Sequence, residues 1–306
     1  MSMKILNFGS LNIDFVYDVV DFVTKGQTIT SSGLNQYPGG KGLNQSIAAG
    51  KAGASISHAG LVGKDGVFLY DLLAEAGVDT TKMRTTEKER TGNAIIQRNQ
   101  DGDNCIVLYS GANRTFTEEF VDEVLSKFDK GDWLLVQNET NLLGYIVEQA
   151  HRRGMKVAMN PSPADELLDQ VDLSLIDCFI LNGGEAEAIT GKTGTPETLL
   201  DAMCEKFPGA ATILTSGSWG SGYARGTQRV RQRAYRVPVV DTTAAGDTFT
   251  GYVLANLVAG EDIATSLDRA SRAAAIAVSR QGAAPSIPSA GEVDIFQASP
   301  IISTEE

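Results

Sequence analysis

From residue 117 onward the chain alternates between two kinds of segment, and this alternation limits its possible folds more than any other feature. TEEFVDEVLSKF (117–128) spaces its apolar residues as a helix does, and the short run WLLVQ (133–137) follows. LLGYIVEQAHRRG (142–154) precedes KVAMN (156–160), CFILN (178–182) precedes GEAEAIT (184–190), and PETLLDAMCEKF (196–207) precedes TILTSG (212–217). Helices alternating with short strands predict an α/β chain with a parallel central sheet flanked by helices. KILNF (4–8) reads as its buried first strand, and LNQSIAAGKAG (43–53) and GVFLYDLLAEAGV (66–78) as further helices.

Some segments do not fit that sheet. FVYDVV (15–20) and QTITSS (27–32) look like partly exposed strands, and GNAIIQRNQDGDNCIVLY (92–109) alternates around Asp101-Gly102, a hairpin signal. We therefore expect an α/β domain over 1–14, 37–83 and 110–306, with a small β element over 15–36 and 84–109. In parallel sheets ligands sit beyond the carboxyl ends of the strands. Polar residues gather there: Asn12 and Asp14, then Gln137, Asn138 and Glu139, then Asn160, then Asn182 and Glu185, then Thr215, Ser216 and Gly217. Five strands ending in this way suggest one shared site.

Composition narrows the partners. The 306 residues carry a net charge of -12, which argues against nucleic acid or an anionic membrane surface. Three cysteines without CxxC spacing and only two histidines make a zinc site improbable and suit a reducing cytoplasm. MSMKILNFGS lacks the apolar core of a signal peptide, and no apolar run is long enough to span a membrane.

Several local stretches allow two readings. In VDTTAAGDTFTGY (240–252) Asp247 stands at the start of a helical pattern. It reads as a capping acid, or as the acid beside an anion cradle whose small residues let a phosphate approach the backbone. PGGKGLNQS (38–46) reads as a tight turn into a helix or as a backbone open to a ligand, with Lys41 and Asn44 at hand. LNGGEAEAIT (181–190) offers Asn182 and Glu185, as a cap or as a site, and LTSGSWGSG (214–222) is a turn well placed for a nucleotide. TGKTGT (190–195) ends like a phosphate-binding loop, but Ala186 stands where that loop needs glycine.

Taken in order, Asn12-Ile-Asp14, GGKGLN, MNPSPA, LNGGEAE, LTSGSWG, DTTAAGDTFTG and AIAVSRQGAAPSIP resemble the ribokinase family of sugar kinases over nearly the whole chain. The resemblance implies a ribokinase-like fold with the β element as a lid. It implies ATP-dependent phosphoryl transfer to the primary hydroxyl of a small sugar, ribose giving ribose 5-phosphate first among them. Deoxyribose, a ketohexose, a nucleoside or non-catalytic sugar binding are the alternatives. By resemblance Asp247 is the base, and the amides of Ala244, Ala245, Gly246 and Asp247 form the anion hole. Asn12, Asp14, Gly40, Lys41, Gly42, Asn44, Ala94, Ile96 and Glu139 hold the sugar. Thr215, Gly217, Ser218, Gly220, Gly246 and Ser271 hold the nucleotide. Asn182 and Glu185 organise Mg2+ and phosphates through water. Asp241, Thr243, Ala277, Arg280, Gly282 and Ser286 match a K+ loop pair. The lid often pairs two subunits in this family, and DFVYDVVDFV (14–23), apolar on both sides, is the expected homodimer face. The lid departs from the family where Val23 and Gln27 replace a proline and a glutamate.

Overall fold

The computed structural model describes residues 3–101 and 103–301. In chain order the elements are β1 (Ile5–Phe8), β2 (Asn12–Asp18), β3 (Gly33–Gly39), α1 (Lys41–Lys51), β4 (Ile56–Ala59), β5 (Leu61–Val62), α2 (Phe68–Glu75), β6 (Arg84–Thr85), β7 (Gly92–Arg98) and β8 (Asn104–Tyr109). There follow α3 (Glu118–Leu125), β9 (Trp133–Gln137), α4 (Leu143–Arg152), β10 (Lys156–Asn160), β11 (Cys178–Asn182), α5 (Gly183–Thr190), α6 (Pro196–Lys206), β12 (Ala211–Ser216), β13 (Gly220–Arg225), β14 (Gln228–Gln232), α7 (Ala245–Ala259), α8 (Ile263–Val278) and α9 (Ala290–Ile295).

The main sheet runs β14-β13-β12-β11-β10-β9-β1-β4. Its strands from β12 to β4 are parallel, as the alternation requires. They are buried on both faces, so successive residues enter different cores. Ile5, Leu135, Ala158, Ile180 and Ile213 pack towards α1, α2, α7, α8 and α9. Leu6, Phe8, Leu134, Val136, Met159 and Phe179 pack towards α3–α6. This two-sided burial explains why the strands read as continuous apolar runs. β13 and β14 extend the sheet antiparallel, and the expected turn within 214–222 is the tight turn Gly217–Trp219 between β12 and β13. A Cβ on Gly220 would lie 2.1 Å from the Gln232 carbonyl, and the residue sits at φ 101°, so a glycine there lets the chain double back tightly.

A separate four-stranded sheet has the order β3-β2-β7-β8. β7 and β8 pair antiparallel, as the hairpin signal requires; Gly102 of that signal lies outside the described residues. Residues 27–32 are not a strand. The Gln27 side chain accepts hydrogen bonds from the Thr24 amide and hydroxyl, closing a turn, and pairing with β2 begins only at Gly33. Within the apolar stretch 14–23, Val16 and Val19 are buried, whereas Val20 is 69% and Val23 43% exposed. Edge strand β8 adds to that outward apolar surface, with Ile106 57% and Val107 64% exposed.

Five of the nine α-helices described start with a side-chain cap: Thr117 for α3, Asn182 for α5, Thr195 for α6, Asp262 for α8 and Ser289 for α9. α7 has none, and its preceding residue Ala244 adopts φ 59°. α1 packs its first turn backbone to backbone on the loop after β1; a Cβ on Gly42 would stand 2.4 Å from Gly9 Cα. Among the described residues no helix is long and apolar enough to cross a membrane.

Candidate active site

The uncapped start of α7 faces the carboxyl ends of β9–β12 and the first turn of α1. Asp247 lies in the first turn of α7, yet its carboxylate does not cap that helix. Asn44 Nδ2 donates to its Oδ2 (3.0 Å) and Gln45 Nε2 to its Oδ1 (2.9 Å). Asp247 therefore makes no side-chain cap, since both oxygens serve α1, though its charge still lies in the first turn of α7. Burial raises the carboxyl to about 6, against the hydrogen bond from Gln45, the Lys41 charge and the hydrogen bond from Asn44. A carboxylate poised there can take up a proton near neutral pH. Asn44 Oδ1 is buried without a partner, which marks an acceptor left for a ligand.

Lys41 donates through Nζ to Glu139 Oε1 and through its amide to Oε2, both at 3.2 Å. Burial disfavours its ammonium, but Glu139, Asp247 and Glu185 together outweigh that and keep it charged. Ser10 also donates to Glu139. Asp14, on β2 opposite Ala94 of β7, is raised to about 6 by burial and by the Glu139 charge, opposed by Lys41. Its carboxylate lies against Gly39, where a Cβ would approach Oδ2 to 2.1 Å. Asp14, Lys41, Glu139 and Asp247 thus form one group of interacting charges.

Two cavities meet at Thr215 and Gly246. One, about 240 Å³, is lined by Lys41, Asn160, Asn182, Glu185, Ala244 and Asp247. The other, about 450 Å³ and mostly apolar, is lined by Ser271, Gly217, Ser218 and Gly220 together with Tyr235, Val237, Phe249 and Ala274. A Cβ built on Gly246 meets nothing within 4 Å, so the space over the α7 amides is open. The polar cavity with a helix N-terminus suits phosphates, and the apolar cavity suits a flat base. Asn182 and Glu185 do form a capping box, Glu185 Oε2 accepting from the Asn182 amide (3.0 Å) and Asn182 Oδ1 from the Glu185 amide (3.0 Å). Glu185 nonetheless lines the polar cavity. Among the described residues no group of three or more His, Cys, Asp or Glu could hold a metal ion.

Asp241 Oδ2 accepts from the Gly282 amide (3.0 Å), and Oδ1 from the Thr243 amide and hydroxyl, so the loops around 241 and 282 do meet. The Arg280 side chain turns away to Glu292 (2.6 Å). Ser286 is bonded through its hydroxyl to the Ala283 carbonyl, and Ala277 is buried at the end of α8. Asn12 opens β2, its Oδ1 accepting from Asn113 Nδ2 (2.8 Å), and Gly42 serves the close contact with Gly9. Gly40 precedes α1 at φ 97°, and Ile96 lies two residues beyond Ala94 on β7. Sequence reasoning missed Gln45, Asn113 and the apolar wall from Tyr235 to Val239. Only the short apolar run VPVV (237–240) hinted at that wall.

The pfkB family carbohydrate kinase profile matches residues 2–290. A ribokinase of Haemophilus influenzae is 36% identical over 291 residues, 93% of this chain and 95% of that protein. The crystal structure of a ribokinase from Cryptococcus neoformans in complex with ADP superposes with a TM-score of 0.85 at 30% identity, covering 96% of this chain and 99% of that one. An Arabidopsis thaliana ribokinase complexed with ribose and ATP gives a TM-score of 0.85 at 26% identity, covering 97% and 100%. With nearly the whole chain matched, the protein belongs to the pfkB family of carbohydrate kinases.

Proposed function

We propose that the protein transfers the γ-phosphoryl group of ATP to the primary hydroxyl of ribose. The observation that carries this reading is Asp247: a half-buried carboxylate, gripped by Asn44 and Gln45, in the polar cavity and next to Gly246, where that cavity meets the apolar one. Asp247 takes the hydroxyl proton as the oxygen attacks. The amides of Ala245, Gly246 and Asp247 and the Lys41 ammonium stabilise charge on the transferring group. Asp14, Asn44 and Glu139 orient the sugar; acidic and amide side chains suit a polyol with several hydroxyls. The base of the nucleotide lies along Gly217–Gly220 and Ser271. Mg2+ neutralises phosphate charge when bound. Its protein-side candidates are Asn182 and Glu185 of the polar cavity acting through water, in keeping with an ion that retains much of its hydration shell.

The hard oxygens of the Asp241 and Gly282 loops suit K+, which would stiffen the start of α7 from outside the substrate cavities. The small sheet serves as the lid. Its unpaired, apolar edge β8 is the surface a second copy of the chain would cover, giving a homodimer. Three free thiols suit a reducing cytoplasm. ADP release measured across pentoses, deoxyribose, hexoses and nucleosides, with wild type and Asp247→Asn, tests the reading. Ribose should give the highest kcat/KM, and a preference for any other acceptor would displace it.

A further inference from the structure

Asp247 is tied to a set of buried amide side chains whose far ends rest on two backbone carbonyls. Gln45 Nε2 donates to Asp247 Oδ1 (2.9 Å) and to Asn160 Oδ1 (3.0 Å), and Gln45 Oε1 accepts from Gln137 Nε2 (2.7 Å). Gln137 Nε2 also donates to Asn7 Oδ1 (3.1 Å). Asn7 Nδ2 in turn donates to the Gly42 carbonyl (2.9 Å) and to Ser46 Oγ (2.8 Å). On the other side, Asn160 Nδ2 donates to the Ile180 carbonyl (2.9 Å). Asn7 and Gln45 are 0% exposed, Gln137 1% and Asn160 9%.

A primary amide can turn over and exchange its oxygen for its nitrogen, but a backbone carbonyl can only accept. The Gly42 carbonyl therefore obliges Asn7 to offer its oxygen to Gln137. Gln137 then offers nitrogen to Gln45. The Ile180 carbonyl likewise obliges Asn160 to offer oxygen to Gln45. Gln45 is thus constrained from both sides to present an N–H to Asp247. Turning any one amide over would set two donors or two acceptors face to face among side chains that are at most 9% exposed, which is costly.

We infer that Gln45 is a positioning residue for phosphoryl transfer: the ladder of Asn7, Gln137, Gln45 and Asn160 delivers an N–H of fixed polarity to Asp247 Oδ1, leaving Oδ2, beside Asn44, turned to the acceptor hydroxyl. This rests on Asp247 being the base. Asn44 cannot supply the same constraint, because its own Oδ1 has no partner to fix its orientation. Both N–H groups and the oxygen of Gln45 are engaged, so none is left for the sugar. A hydrogen bond to the ionised form favours it, so Gln45 opposes the burial that protonates Asp247. The other charges facing Asp247 are Lys41 of α1 and Glu139 beyond β9, with Glu185 of α5 and Asp14 of β2 acting on those two.

The test is steady-state kinetics of the full chain with ribose and Mg-ATP from pH 5 to 9, for wild type, Gln45→Met, Gln137→Met and Asp247→Asn, each checked for folding by thermal melting. Gln45→Met should lower kcat about tenfold or more and move its acid limb up by about one pH unit. Sugar KM should stay within about twofold. Gln137→Met, one step further along the ladder, should move both in the same direction and less. A folded Gln45→Met with wild-type kcat and an unmoved acid limb overturns the inference, as does a raised KM with kcat preserved. If Gln45→Met does not fold, Gln137→Met decides on the same criteria. An active Asp247→Asn would remove the base and the inference together. An inactive Asp247→Asn beside an unaffected Gln45→Met would remove the inference alone.

Discussion

Replacing Asp247 by asparagine should abolish turnover and, at the same time, stabilise the protein. Burial raises the carboxyl from 3.8 to about 6, a shift of about two units. At 1.36 kcal/mol per unit this is an upper bound of ~3 kcal/mol against the folded state at neutral pH. The side chain lines a cavity and keeps some contact with solvent, so about half, ~1.5 kcal/mol, is the expected gain. Between pH 3.8 and about 6 the folded state keeps a proton that the unfolded state has lost. The penalty therefore grows across that window and stays constant above it; at pH 4.5 it has fallen to about a third. The asparagine fits the existing bonds. Its oxygen accepts from Gln45, and its nitrogen faces Asn44, whose amide is free to turn because its Oδ1 is unpartnered. In scanning fluorimetry without ligands, the variant should melt about 3 °C higher than wild type at pH 7.5, and most of that gain should vanish at pH 4.5. ADP release should fall by about 10²–10⁴-fold. A variant that melts lower, or whose gain persists at pH 4.5, would refute the buried-charge argument, and near-normal turnover would remove Asp247 from the chemistry.

Three further outcomes are open to measurement. Turnover should rise in K+ over a bulky organic cation, and equal rates in both would deny the Asp241 and Gly282 loops a cation role. Val107→Lys on the exposed edge strand should dissociate the expected dimer in sedimentation, and a wild type that is monomeric and active at micromolar concentration would dismiss the dimer. Gly42→Ala, whose Cβ would meet Gly9 Cα at 2.4 Å, should cost about 2–3 kcal/mol in urea unfolding and raise sugar KM; unchanged stability would show that the close approach is dispensable.

The parallel sheet was legible because burial on both faces leaves each strand an uninterrupted apolar run, and each crossover helix its own period. The strand order of the small sheet was not legible, for a related reason. Composition shows that 14–23 is apolar, but whether a strand is interior or at an edge depends on pairing with residues far along the chain, here β7 beside β2. The same limit applied to Asp247. Its neighbours in sequence fit a cap and a catalytic acid equally well, and the choice turns on Asn44 and Gln45, 203 and 202 residues away. Asn44 could be named because the GGKGLN pattern includes it. Gln45 could not, since a glutamine after a motif has no signature of its own. Its significance comes from Gln137, Asn160 and two backbone carbonyls that only the folded sheet brings to it. Residues that touch substrate tend to fall within short local patterns, whereas those that orient them are specified by contacts between strands and helices. The groups that set the state of the half-buried acid in this kinase are therefore the ones a sequence is least able to reveal.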